Sequence, residues 1–195
     1  SVWPTWESWT WPGREGKQIE VEIYSKYPKV RLYLNNKLVG EKPTTKTEEF
    51  KAVFPVEYTA GELKAVGVVG DKEVESKVLK TSGAPAAIKL TADRKVIRAN
   101  GQDLTYVTVE VFDKNGILQP NADDRLHFKI TGPGVIAGVD NADLKDTDCY
   151  LSNNRKAWHG RAIVVIKSTK IPGNITLDAS GVGFKEASLV VLTQK

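Results

Sequence analysis

The sequence predicts an all-β chain folded as two β-sandwiches in tandem. Apolar residues recur at every second position in short runs, and Gly, Asn and Asp punctuate those runs at hairpin spacing. A change in acid usage says that the bodies are two. Of the 12 acidic residues before position 84 only Asp71 is an aspartate, whereas 10 of the 12 after it are, leaving Glu110 and Glu186.

Residues 1–16 carry Trp3, Trp6, Trp9 and Trp11 between Pro4, Pro12, Gly13 and Gly16. The prolines oppose a continuous helix, so this stretch reads as an extended arm whose indoles cover a hydrophobic surface. A second reading is a sugar-stacking platform, because aromatic faces pack on the C–H faces of pyranose rings. Trp6, Trp9 and Trp11 are the candidate contacts, with Trp158 further on.

From residue 18 the strand pattern begins. Ile19, Val21 and Ile23 alternate with Glu20, Glu22 and Tyr24, and Val30, Leu32 and Leu34 repeat the alternation. Asn35-Asn36 suits a two-residue hairpin, since Asn tolerates the left-handed backbone. Strands at 37–41, 50–58, 63–69 and 74–79 follow, with Gly70-Asp71 as a second hairpin turn. Six strands in this span read as a small antiparallel sandwich over 17–83.

Residues 81–85, Thr-Ser-Gly-Ala-Pro, form the expected linker. Strands are then expected at 87–92, 96–98, 107–111, 126–130, 135–139, 162–166, 175–179 and 187–191. Asn100-Gly101 and residues 113–116 are turns, and Gly132-Pro133-Gly134 is a tight one. The run 162–166 is apolar without interruption, as in a core strand. About eight strands over 84–195 match an immunoglobulin-like sandwich without its disulfide, as Cys149 is the lone cysteine. One irregular segment, 140–159, breaks the rhythm, and loops of that length usually bind something or pack on another body.

Few chemistries have candidates. His127 and His159 are the two histidines, and HExxH, CxxC, nucleophile-elbow and phosphate-loop patterns are absent. Asp140, Asp143, Asp146 and Asp148 could offer oxygen ligands to calcium but lack EF-hand order, so a solvated loop is preferred. The net charge of +4 is not gathered into the basic stripe of a nucleic-acid binder. No window has the length of a membrane span. No cofactor is expected. The chain lacks methionine even at position 1, so a processed or excised piece of something longer is expected.

Gly132, Gly134, Gly138 and Asn141, then Arg155, Ala157, Trp158, Gly160, Arg161 and Ala162, carry a resemblance. They resemble the Gly-x-Gly-x-x-x-Gly-x-x-Asn and Arg-x-Ala-Phe-x-Gly-Arg-Ala segments of the C-terminal immunoglobulin-like domain in bacterial glycoside hydrolase family 2 enzymes of the β-galactosidase type. Residues 172–177, Pro-Gly-Asn-Ile-Thr-Leu, fit the same pattern. Trp9, Trp11 and Gly13, then Leu34, Asn35, Lys37 and Gly40, resemble the domain that precedes it. Ser8 stands where histidine is common, Asn36 for glycine and Trp158 for phenylalanine.

The resemblance implies a non-catalytic accessory fragment that packs on or shapes the active site of a (β/α)₈ barrel. That barrel would carry the two catalytic glutamates of a retaining glycosidase. It implies a periplasmic or secreted parent, with the barrel and an oligosaccharide as candidate partners. The alternatives are a carbohydrate-binding module and an adhesin-type tandem of surface modules.

Overall fold

The computed structural model describes residues 6–195, so Trp3 and Pro4 of the arm lie outside the described residues. The chain separates into two compact units, Ser1–Thr81 and Ser82–Lys195. Both are built from strands, and the all-β sandwich expectation holds.

In the first unit β1 (Gln18–Tyr24) pairs antiparallel with β4 (Lys51–Glu57). A four-stranded sheet in the order β3-β2-β5-β6 holds β2 (Lys29–Leu34), β3 (Lys37–Pro43), β5 (Glu62–Val69) and β6 (Lys72–Lys80). Asn35 and Asn36 turn the first hairpin at φ 49° and 64°. A 3₁₀ turn at Lys46–Glu48, unforeseen in the sequence, precedes β4. The Thr45 side chain accepts from Thr47 N–H, and the Glu48 carboxylate takes the Thr45 N–H in return.

Val30, Leu32, Phe54, Val56 and Leu63 form the first core, and Trp9 belongs to it. Its indole is 1% exposed, donates to the Thr59 carbonyl at 3.0 Å and meets Tyr58 edge-on at 5.0 Å. The Thr81 hydroxyl donates to the Trp9 carbonyl. This part of the arm is core, because a buried indole needs both an apolar bed and an acceptor for its N–H.

The second unit has nine strands in two sheets. One runs β11-β13-β9-β7, with β7 (Pro85–Ala92), β9 (Leu104–Asp113), β11 (Gly134–Asp140) and β13 (Arg161–Ser168). The other runs β12-β10-β14-β15-β8, with β8 (Val96–Arg98), β10 (Arg125–Thr131), β12 (Asn154–Lys156), β14 (Gly173–Ser180) and β15 (Ala187–Gln194). Strand β12 was not expected; it lies inside the segment read as irregular. Inward residues such as Val107, Val109, Val164, Ile166, Leu126, Ile175 and Leu177 form the second core.

Two departures bear on function. In β13 only Ala162, Val164 and Ile166 of the apolar run enter the core, while Ile163 and Val165 stay half-buried on the outer face. At Gly132, φ is 90°, and a Cβ would stand 2.1 Å from the Asn174 carbonyl oxygen. The tight turn there is therefore also a close approach of backbones.

Candidate functional site

The most elaborated region is the segment between β11 and β13. Asn141, nearly buried, donates to the Asp146 carboxylate at 2.7 Å and to the Lys156 carbonyl at 3.1 Å, and accepts the Asp143 N–H at 2.9 Å. Arg155, at the centre of β12, has a side chain that is 0% exposed. Its guanidinium lies 3.1 Å from Asp140, 3.6 Å from Asp146 and 2.8 Å from the Asp148 carbonyl, over the Tyr150 ring at 4.9 Å. Arg125 pairs with Asp148 at 2.9 Å. Backbone bonds from Val139 N–H to the Tyr150 carbonyl and from Phe128 N–H to the Asn153 carbonyl tie the loop to both sheets.

These contacts correct the reading of the acidic loop. Asp140 and Asp146 meet a buried guanidinium, so they are not simply solvated. Asp143 closes a local turn by accepting Lys145 N–H. Among the described residues no group of three or more His, Cys, Asp or Glu side chains is placed to hold a metal ion.

Burial alone would raise the Asp140 pKa, but N–H groups of Asn141 and Ala142 and the Arg155 guanidinium outweigh it and hold it low. The Asp148 N–H does most to lower Asp146, aided by Asn141 and Arg155. A loop so pinned still presents Leu144, Tyr150 and Leu151 to solvent, with Cys149 exposed beside them.

The tryptophans divide. Trp9 must be withdrawn as a sugar or interdomain contact, since its indole is enclosed in its own unit's core. Trp11 is half-buried and donates to the Ser8 carbonyl at 3.1 Å, while Trp6 is exposed. Trp158 is 37% exposed and opens a two-residue hairpin through His159 and Gly160, at φ 51° and 73°. The Gly160 N–H donates to the Ala122 carbonyl, and a Cβ on Gly160 would stand 2.2 Å from the Gln119 carbonyl oxygen. His159 contacts the Pro120 carbonyl through Nδ1 at 3.2 Å and meets the Trp158 ring edge-on. Trp158 is thus held by backbone that cannot easily shift. His127 points outward from β10.

In the sequence Arg155 stands out only through the family resemblance. The signal available was a lone arginine following four spaced aspartates.

Residues 88–190 match glycoside hydrolase family 2 C-terminal domain 5, and residues 16–75 match a domain of unknown function, DUF4982. A β-galactosidase of Bacteroides ovatus, BoGH2A, is 35% identical over 195 residues, covering 100% of this chain and 22% of that protein. A β-glucuronidase of Formosa agariphila is 31% identical over 186 residues, covering 93% of this chain and 18% of that protein. A solved glycosyl hydrolase family 2 member from Bacteroides cellulosilyticus superposes with a TM-score of 0.92 at 35% identity, over 96% of this chain and 24% of that one. The chain spans about a fifth of the length of the curated relatives it matches.

Proposed function

Because the chain belongs to the glycoside hydrolase family 2 C-terminal domain 5 family, we propose that it is the accessory, non-catalytic part of a larger β-galactosidase-like hydrolase. In this reading it docks on the barrel that carries the chemistry. The observation that carries the proposal is the pinned loop. A guanidinium without exposed surface, met by two carboxylates and a carbonyl, fixes a segment whose outward residues are Leu144, Tyr150 and Leu151. Rigid loops with apolar tips lose little entropy on docking.

The acids displaced from their ordinary values are held ionised. Retaining hydrolysis needs a general acid with a raised pKa. Among the described residues every carboxylate clearly displaced from its ordinary value is lowered: Glu41, Glu48, Glu73, Glu75, Asp93, Asp103, Asp113, Asp140 and Asp146. Such groups stay ionised at neutral pH and cannot protonate a leaving oxygen.

The test has two arms. The purified chain alone is expected to leave p-nitrophenyl β-galactoside and β-glucuronide intact; turnover that survives rigorous purification overturns the reading. The parent's catalytic part, produced without these residues, is expected to lose melting temperature and to regain it when this chain is supplied in trans. The double variant Leu144→Ser, Leu151→Ser is expected not to restore it.

A periplasmic or extracellular site of action is proposed with this, on the family likeness alone, and fractionation of the native host checks it. A second reading, sugar contact through Trp6, Trp11 or Trp158, is favoured at Trp158 by its fixed and partly open indole.

A further inference from the structure

We propose that the outer face of the β11-β13-β9-β7 sheet is an oligosaccharide-binding platform bounded by Trp158 and Tyr106. The proposal rests on the reading of the chain as part of a carbohydrate-active enzyme and deepens it by locating the sugar contact.

The register brings the residues together. Trp158 and Arg161 are bridge partners, Arg161 pairs with Glu110, Ile163 with Thr108, and Val165 with Tyr106. Directly opposed residues on antiparallel strands share a face. In β9 the residues 105, 107, 109, 111 and 113 point into the unit, so Tyr106, Thr108 and Glu110 point out. Trp158 is 37% and Tyr106 44% exposed, while Ile163 and Val165 between them are half-buried. Arg161 and Glu110 form an ion pair at 3.2 Å.

The chemistry of this face is alternating. An aliphatic residue neighbours a hydroxyl, a second one neighbours a phenol, and a charge pair lies beside the indole. The core of a protein interface is depleted in charge, whereas a sugar chain offers C–H faces and hydroxyls side by side and matches such alternation. Strand spacing and rise put the two aromatic residues roughly 16 Å apart. That span calls for several linked sugar rings, not one.

The experiment is titration of the isotope-labelled chain with methyl β-galactoside and with a β-linked galactotetraose, followed by backbone amide shifts. The tetrasaccharide is expected to move the amides of Thr108, Arg161 and Ile163 in a saturable way, at least about tenfold more tightly than the monosaccharide. Trp158→Ala and Tyr106→Ala are each expected to weaken the tetrasaccharide about tenfold, the scale of one lost ring contact at the upper end of such contacts. Trp6→Ala is expected to change nothing. Melting curves confirm that each variant is folded, and Tyr106→Ala, at an exposed position, keeps the test open if the Trp158 hairpin variant is not.

Equal binding of both sugars, shifts confined to residues 6–16, or no shifts at millimolar tetrasaccharide would each overturn the platform. None of these outcomes touches the docking reading, which stands or falls on restoration in trans.

Discussion

Arg155 shows how a single side chain can organise a loop of more than a dozen residues. Burying a guanidinium is costly unless its charge and N–H groups are met, and removing one partner of a buried ion pair costs about 3–5 kcal/mol. Arg155→Met leaves Asp140 able to turn to solvent, so it is expected to lower the unfolding free energy of the second unit by about 1–3 kcal/mol in urea. The first unit, which it does not build, should unfold as before. At Glu49 the opposite change is expected. Glu49 ends the 3₁₀ turn at φ 54° and ψ 33°, a left-handed conformation that glycine adopts without a Cβ penalty. Glu49→Gly should stabilise the first unit by about 1 kcal/mol, read from its denaturation midpoint.

At the scale of elements, the segment from β11 to β13 separates two roles that sequence cannot distinguish. Asn141, Arg155 and Gly160 serve the fold, through side-chain bonds, an ion-pair cluster and a hairpin pressed against the Gln119 carbonyl. Leu144 and Leu151 serve nothing within the described residues that would bury them. Their replacement by serine is expected to change the stability of the isolated chain by less than about 0.5 kcal/mol, as for ordinary surface positions. The same variant should fail to restore a parent lacking this region. A large stability loss in the isolated chain would show instead that the leucines pack at home.

For the whole molecule the acid limb is the informative one. A carboxylate whose pKa is lowered on folding binds its proton more weakly in the native state. It contributes stability above its unfolded pKa, about 3.9 for Asp, and that contribution fades as pH falls through the folded value. In the second unit Asp93, Asp103, Asp113, Asp140 and Asp146 all behave this way. Asp113 is the most enclosed, 2% exposed; burial would raise it, but N–H groups of Gly83, Ile117 and Asn115 outweigh burial. Stability is expected to change little between pH 7 and 5 and to fall steeply below about pH 4. Asp113→Asn should destabilise at pH 7 by about 1–3 kcal/mol and flatten part of the acid fall, as measured by thermal melts across pH.

Much of this was legible in the chain. Two-residue alternation and the Asn35-Asn36 and Gly70-Asp71 turns placed the strands of the first unit, because side-chain period and turn chemistry are local properties. The glycine and Arg-x-Ala-Trp-x-Gly-Arg-Ala segments pointed to family 2, which the match over residues 88–190 shows. Tertiary structure alone decided that Trp9 is core while Trp158 is partly open, since the partners that bury an indole, Tyr58 and Thr59, lie some fifty residues away. It also decided that β12 exists, that the Asp140 and Asp146 carboxylates meet a buried arginine, and that Trp158 and Tyr106 share a face. Each of these depends on which distant segments pair and in what register, and pairing across long separations leaves no periodic trace in a single sequence.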